Sequence, residues 1–189
     1  MSTMDENIEF LENKYLLLDT NILIDSVKYT DDFTEFFQVI SSKKVVSVLD
    51  SIVKFEFFRG ARNRKEYSGY RAFLDELLKK PEMMPLPNEE DYLNAQRIAA
   101  ISLRSNNKDI KFPDCLIGAM LIRYSHPMPR LFLATQNHRD FTPTLFTLEK
   151  SVVIRLDSGN IKTVGIYSFN LKRFNEMCED LPEELQFAK

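Results

Sequence analysis

Short, dense apolar runs alternate along this chain with longer stretches in which apolar positions recur at helical spacing. The runs YLLL (15–18), KVVSVL (44–49), RLFLAT (130–135) and SVVIRL (151–156) read as buried strands, because brief apolar runs with polar flanks suit strands covered on both faces. Between them the spacing predicts helices over 22–29 and 31–42, the second carrying Phe33, Phe36, Phe37 and Ile40 on one face. A third helix over 50–62 places Ile52, Phe55 and Phe58 at every third position, and a fourth over 67–80 is closed by Pro81. EMMPL (82–86) reads as a short strand whose proline assigns it to an edge or an irregular link. The stretch 88–107 is a helix with Asn88 as N-cap and acids in its first turn. The stretch 112–125 is so apolar that it must be buried nearly all round. Beyond Leu156 the pattern breaks into a turn (DSGN), a further strand candidate (IKTVGIYSF, 161–169) and a polar helix or tail. Alternating strands and helices imply an α/β sandwich around a parallel sheet. The expected organisation is an N-terminal extension over 1–13, one α/β domain over 14–156 and a C-terminal extension over 157–189.

Composition adds limits. The length, 189 residues, suits one sizeable domain, and the apolar and charged fractions are those of a folded globule. The longest uncharged apolar run, Cys115 to Ile122, is too short to span a bilayer. The first ten residues are acidic and lack the basic-then-apolar pattern of a secretory leader. The two cysteines, Cys115 and Cys178, form no CxxC pair or Cys/His cluster, so a reducing cytoplasm is the expected setting. The net charge of −3 argues against non-specific duplex binding, which draws on clustered cations. One local exception is RGARNRK, where Arg59, Arg62, Arg64 and Lys65 form either a solvated helix end or a basic rim.

The candidate chemistry lies where elements change type. Asp19 ends the first strand, Glu56 interrupts an aromatic helix, Asp114 follows Pro113 in the first turn of the apolar helix, and Asp140 follows the strand RLFLAT. Each has an ordinary explanation: Asp19 as a helix cap, Asp114 as a dipole partner, Asp140 as a turn residue. Glu56 resists it best, because a core-facing helix would prefer an apolar side chain there. In a parallel α/β sheet, strand ends and the following helix starts share one edge, and ligands bind at that edge. Two unit charges about 4 Å apart repel by about 4 kcal/mol at an effective dielectric of about 20. Four ionised carboxylates in one cleft therefore need protons or a cation. Hard oxygen donors with open positions select Mg²⁺ or Mn²⁺.

The segments LLLDTNILID, SVLDSIVKFEFFRGARN, FPDCLIGAMLI and LFLATQNHRDF resemble, in order and spacing, the PIN domain, and specifically the VapC-like toxin nucleases. The resemblance covers roughly residues 14 to 156 and implies a three-layer α/β/α sandwich. It implies Asp19, Glu56 and Asp114 as metal-binding acids and Asp140 as the fourth, because Asn137 occupies the alternative acid position. It also implies Asn21, Thr135 and Asn137 as polar supports and an Mg²⁺- or Mn²⁺-dependent endoribonuclease, with Arg59, Arg62, Arg64 and Lys65 available for RNA. Toxin members dimerise and are inhibited by an antitoxin protein, which are the partners the resemblance implies. The extra length at both ends departs from those toxins.

YLLLDTN also shares the strand-to-Asp pattern of haloacid-dehalogenase-type phosphatases, but Asn21 stands where they need a second Asp. Receiver-type phosphoacceptors want acidic neighbours that are missing here. A PIN-like module that binds RNA or protein without cutting is the alternative from another class. His126 and His138 read as surface histidines, His138 beside the acidic edge, and one of Phe55, Phe57 and Phe58 could stack a base.

Overall fold

The computed structural model describes residues 8–77, 82–106, 109–126 and 128–186. Most of the expected N-terminal extension, the helix end at Pro81 and Asn107 lie outside the described residues. The chain runs β1 (Tyr15–Leu18), α1 (Thr20–Lys28), α2 (Thr30–Ser42), β2 (Val46–Leu49), α3 (Ser51–Arg59) and α4 (Arg64–Leu77). It continues through β3 (Glu82–Met83), α5 (Glu89–Asn106), α6 (Phe112–Arg123), β4 (Leu131–Thr135), β5 (Phe146–Arg155), β6 (Ile161–Phe169) and α7 (Leu171–Cys178).

The strands form one six-stranded sheet in the order β3-β2-β1-β4-β6-β5. Its half made of β3, β2, β1 and β4 is parallel, in the register Tyr15↔Val46, Leu18↔Ala134 and Leu49↔Met83. Because parallel neighbours must be joined by crossovers, helices cover this half, and its central strands β1 and β4 are apolar along nearly their whole length. All five residues of β4 are buried. The helices fall into two groups, α1 with α2 and α3, and α6 with α5 and α7, and the arrangement is an α/β sandwich.

The expectation of a parallel sheet needs correction on the other side. β6 runs antiparallel to both β4 and β5. The cause is the DSGN turn: Gly159 sits at φ +83°, the left-handed region where glycine carries no Cβ penalty, and Leu156 N donates to Asn160 O (2.9 Å). A hairpin this tight forces antiparallel pairing. β6 then enters the sheet between β4 and β5, with Val164 to Phe169 buried. The segment expected as an extension thus contributes an interior strand. β5 begins at Phe146, ahead of the apolar run at 151, because Thr147 to Lys150 lie exposed on the sheet's edge.

A second correction concerns α3. Its buried positions are Val53 and Phe57, whereas Phe55 is 65% exposed. A three-residue repeat drifts by about 60° per step around a helix, and a four-residue step stays nearly aligned. Phe57 stacks on Tyr70 of α4 (ring centroids 4.6 Å apart), which fixes which face turns inward. The cap of α5 is as expected: Asn88 Oδ1 accepts from Asp91 N, and Asp91 Oδ2 accepts from Asn88 N. α6 buries every residue from Cys115 to Leu121.

Candidate functional site

The parallel register delivers the first site residues. Leu18 pairs with Ala134, and Asp19 N donates to Ala134 O (3.0 Å), so Asp19 and Thr135 leave adjacent strands side by side. Asp19 is the N-cap of α1 and accepts from Thr20 N (2.6 Å). Its second oxygen accepts from Asn21 Nδ2 and from Thr135 Oγ1, both at 2.5 Å. Asn21 Nδ2 also reaches Thr135 Oγ1 (3.1 Å), and Asn21 Oδ1 accepts from Gln136 N (3.0 Å). Asp19 is therefore a cap, and it is also the centre of a network that ties β1 to β4. Although those donors favour its carboxylate, burial at 6% exposure together with the Glu56 charge pushes its pKa up.

Glu56 faces this edge from α3, where its Oε2 accepts from Thr20 Oγ1 (2.9 Å). Asp140 is oriented by the turn after β4. Asn137 N donates to Thr135 Oγ1 (2.9 Å), and Asn137 Nδ2 donates to Asp140 Oδ2 (2.8 Å). His138 clamps the same turn to β6: Nε2–H donates to Thr163 O (3.1 Å), leaving Nδ1 to accept from the Tyr167 hydroxyl (2.7 Å). The ring lies over Gly165, where a Cβ would stand 2.9 Å from His138 Cε1.

Asp114 opens α6, and its environment links the set. Its pKa is pushed up to about 7, first by burial and then by the charges of Asp19, Asp140 and Glu56, with Lys111 opposing. Asp19, Asp140 and Glu56 thus each lie within electrostatic reach of Asp114, and Glu56 within reach of Asp19.

This coupling fixes the pH response of the metal-free protein. A folded-state value of about 7 stands above the ordinary 3.8, so the fold holds a proton that the unfolded chain releases. The resulting stabilisation is full below the ordinary value and is lost as pH rises towards about 7. Asp19 and Asp50 shift in the same direction. Melting temperatures in EDTA should fall from about pH 5 to about pH 8, less steeply in Asp114→Asn. A flat or rising profile would contradict the coupling.

Asp50 was not expected here beyond its place at a helix start. It ends β2 as Asp19 ends β1, and caps α3 by accepting from Ile52 N and Val53 N (both 2.7 Å). It is 2% exposed, and its Oδ2 has no hydrogen-bond partner among the described residues. Burial pushes its pKa up, with Glu56 adding to the effect. The signal was the repetition of LLDT by VLDS, each an apolar strand running into Asp and a hydroxyl. Asp25 was also missed: it accepts from Gln136 Nε2 and pairs with Lys162 (2.8 Å each), bracing the same turn from α1 and β6. No local pattern links those three positions.

Arg59, Arg62, Arg64 and Lys65 are exposed across the end of α3 and the start of α4, and have no ion-pair partner among the described residues. His126 lies apart, lining a cavity with Asn88 and Arg123 at the far end of α6.

Among the described residues, no three His, Cys, Asp or Glu side chains form a ready-made cage for a metal ion. Mg²⁺ does not require one, since it commonly takes one or two carboxylates directly and keeps its waters. The hard-oxygen donor set and the negative charge around Asp114, which Lys111 opposes only in part, fit such an ion.

The PIN domain family model matches residues 16–139, and the chain belongs to that family. The resemblance to the PIN domain read from the four motif segments is therefore correct. Among solved structures the chain is similar to the crystal structure of DNA-bound VapBC from Salmonella typhimurium. That match has 20% sequence identity and a TM-score of 0.52, and covers 68% of this chain and 90% of the other. At that identity the likeness is one of fold. No curated protein matches the sequence.

Proposed function

We propose that this PIN-domain chain is a metal-dependent endoribonuclease that hydrolyses RNA phosphodiester bonds at the edge carrying Asp19, Glu56, Asp114 and Asp140. The observation that carries the reading is that the charges of Asp19, Asp140 and Glu56 all act on the half-buried Asp114. Its pKa is pushed up to about 7 first by burial and then by those charges, a repulsion that a divalent cation would relieve. Mg²⁺ or Mn²⁺, held by some of these four carboxylates, would supply an activated water and charge neutralisation at the phosphate. The chain's own groups do the rest. Thr135 and Asn21 lock the Asp19 carboxylate, Thr20 holds Glu56, and Asn137 aims Asp140. Arg59, Arg62, Arg64 and Lys65 hold the substrate's phosphates.

Two features support the basic run as an RNA track. The cations lack protein partners among the described residues. Arg64 and Lys65 also occupy the first turn of α4, where the helix dipole disfavours positive charge, so helix stability does not account for them. Neutralising Arg59 and Arg62 together should weaken RNA binding and lower its salt dependence while leaving metal affinity nearly unchanged. An unaltered salt slope would return the run to a solvated helix end.

The toxin role, with an antitoxin protein as inhibitor and a homodimer as the working form, is part of the proposal and rests on the VapC-like motifs. A cytoplasmic setting goes with it. Among the described residues no helix is long and apolar enough to cross a membrane.

The direct test incubates single-stranded RNA with the protein in Mn²⁺ and in EDTA, beside Asp114→Asn. Cleavage in Mn²⁺, absent from the other two reactions, is the expected result. Intact RNA in Mn²⁺ with binding retained would establish the alternative, a PIN-like module that binds without cutting.

A further inference from the structure

On α3 the exposed Phe55 has no part in the nuclease reading, although its neighbours Glu56 and Arg59 do. Val53 and Phe57 face the core, so at about 100° per residue Phe55 points away from it. Arg59 lies four residues after Phe55 and three after Glu56, which makes it a surface neighbour of both. Around the helix the order is then Phe55, Arg59, Glu56: an aromatic ring, a cation with no ion-pair partner among the described residues and a carboxylate of the acidic edge. Phe55 is 65% exposed, and Lys54 and Arg59 beside it are exposed too.

A single exposed apolar side chain needs no explanation. Its company makes this one informative. From the proposed nuclease reading, on which the inference rests, we infer that Phe55 is a base-stacking residue of the substrate subsite, taking an unpaired RNA base while Arg59 takes the adjoining phosphate. Single-stranded nucleic acid is the partner that presents flat aromatic faces and regularly spaced anions together, and stacking on an aromatic side chain tolerates any base. A duplex does not fit, because its bases are stacked on each other and closed to Phe55. The inference therefore narrows the substrate to single-stranded RNA or an unpaired loop at the cleaved position.

The protein contains no tryptophan, so Phe55→Trp places its sole tryptophan at the subsite, where the indole can be excited apart from the seven tyrosines. In an Asp114→Asn background, which keeps the strand intact, its emission should be quenched by a short single-stranded RNA and much less by the same strand made abasic. Phe55→Ala in that background should weaken binding of the intact strand by about 10-fold, with little effect on the abasic strand. Phe55→Tyr should restore affinity. Because Phe55 is exposed, all these variants should melt close to their parent. Equal affinity of Phe55→Ala and its parent for the intact strand would overturn the inference, as would absence of binding by the parent. An unchanged affinity accompanied by a shift in oligomeric state would identify the face as a protein interface instead. The nuclease reading fails separately: if Phe55 governs RNA binding but the wild-type protein cleaves nothing in Mn²⁺, the subsite stands and hydrolysis falls.

Discussion

Asp140→Ala should lower RNA cleavage by at least about 10²-fold, the scale lost when one transition-state stabiliser is removed. Asn137→Ala should cost about 10-fold, through loosened geometry. The structure gives these residues different work. Asn137 Nδ2 donates to Asp140 Oδ2 (2.8 Å), and Asn137 Oδ1 accepts from Asp140 N (3.3 Å), so the amide holds the carboxylate in place. Asp140 brings the charge felt by Asp114, whereas Asn137 brings none. Removing the amide leaves a carboxylate that still reaches its position part of the time. Removing the carboxylate leaves nothing to aim. Single-turnover cleavage rates, measured on variants whose melts match wild type, separate the cases. Wild-type cleavage by Asp140→Ala beside a dead Asn137→Ala would assign the fourth position to the amide and leave a site of three acids.

Millimolar Mg²⁺ or Mn²⁺ should raise the melting temperature by several degrees over EDTA at matched ionic strength, and Asp114→Asn should remove most of that rise. An ion that binds only the folded state stabilises it by mass action. Here it would also cancel the repulsion that adds to burial in pushing Asp114 to about 7. Asn keeps nearly the shape of Asp without the charge, so metal-free Asp114→Asn should melt slightly above metal-free wild type. That pairing, a gain in EDTA and a loss of response to metal, distinguishes relief of like-charge repulsion from a general packing effect. Equal melting temperatures of wild type in Mg²⁺ and in EDTA would count heavily against a metal site.

How much of this was legible depends on whether the responsible interaction is local. β1 was read at its observed bounds because a four-residue apolar run ending at Asp is complete in itself. The burial of α6 was equally plain, since its apolar positions leave no polar face. The choice of the four acids as candidates rests on one topological rule, that parallel strands and the helices after them share an edge. The direction of β6 depended on joining two separate readings, a DSGN turn and a strand after it, into a hairpin. The start of β5 carries no continuous apolar run because an edge strand has one side in water. On α3, Ile52, Phe55 and Phe58 suggested an inward face, but the contact that decides it, Phe57 on Tyr70, comes from another helix. Asp50 escaped because capping accounts for one of its oxygens; the other, buried without a hydrogen-bond partner among the described residues, is visible only in three dimensions.

The proposed function requires that the acidic edge at Asp19, Glu56, Asp114 and Asp140 bind a divalent cation. Mn²⁺ makes it directly measurable, because the paramagnetic resonance signal of the free ion falls as it binds. Titration of the wild-type protein should show saturable binding that Mg²⁺ competes away, with Asp114→Asn binding far more weakly. Wild-type protein that leaves the free Mn²⁺ signal unchanged, or Asp114→Asn that binds as tightly as wild type, would contradict the account.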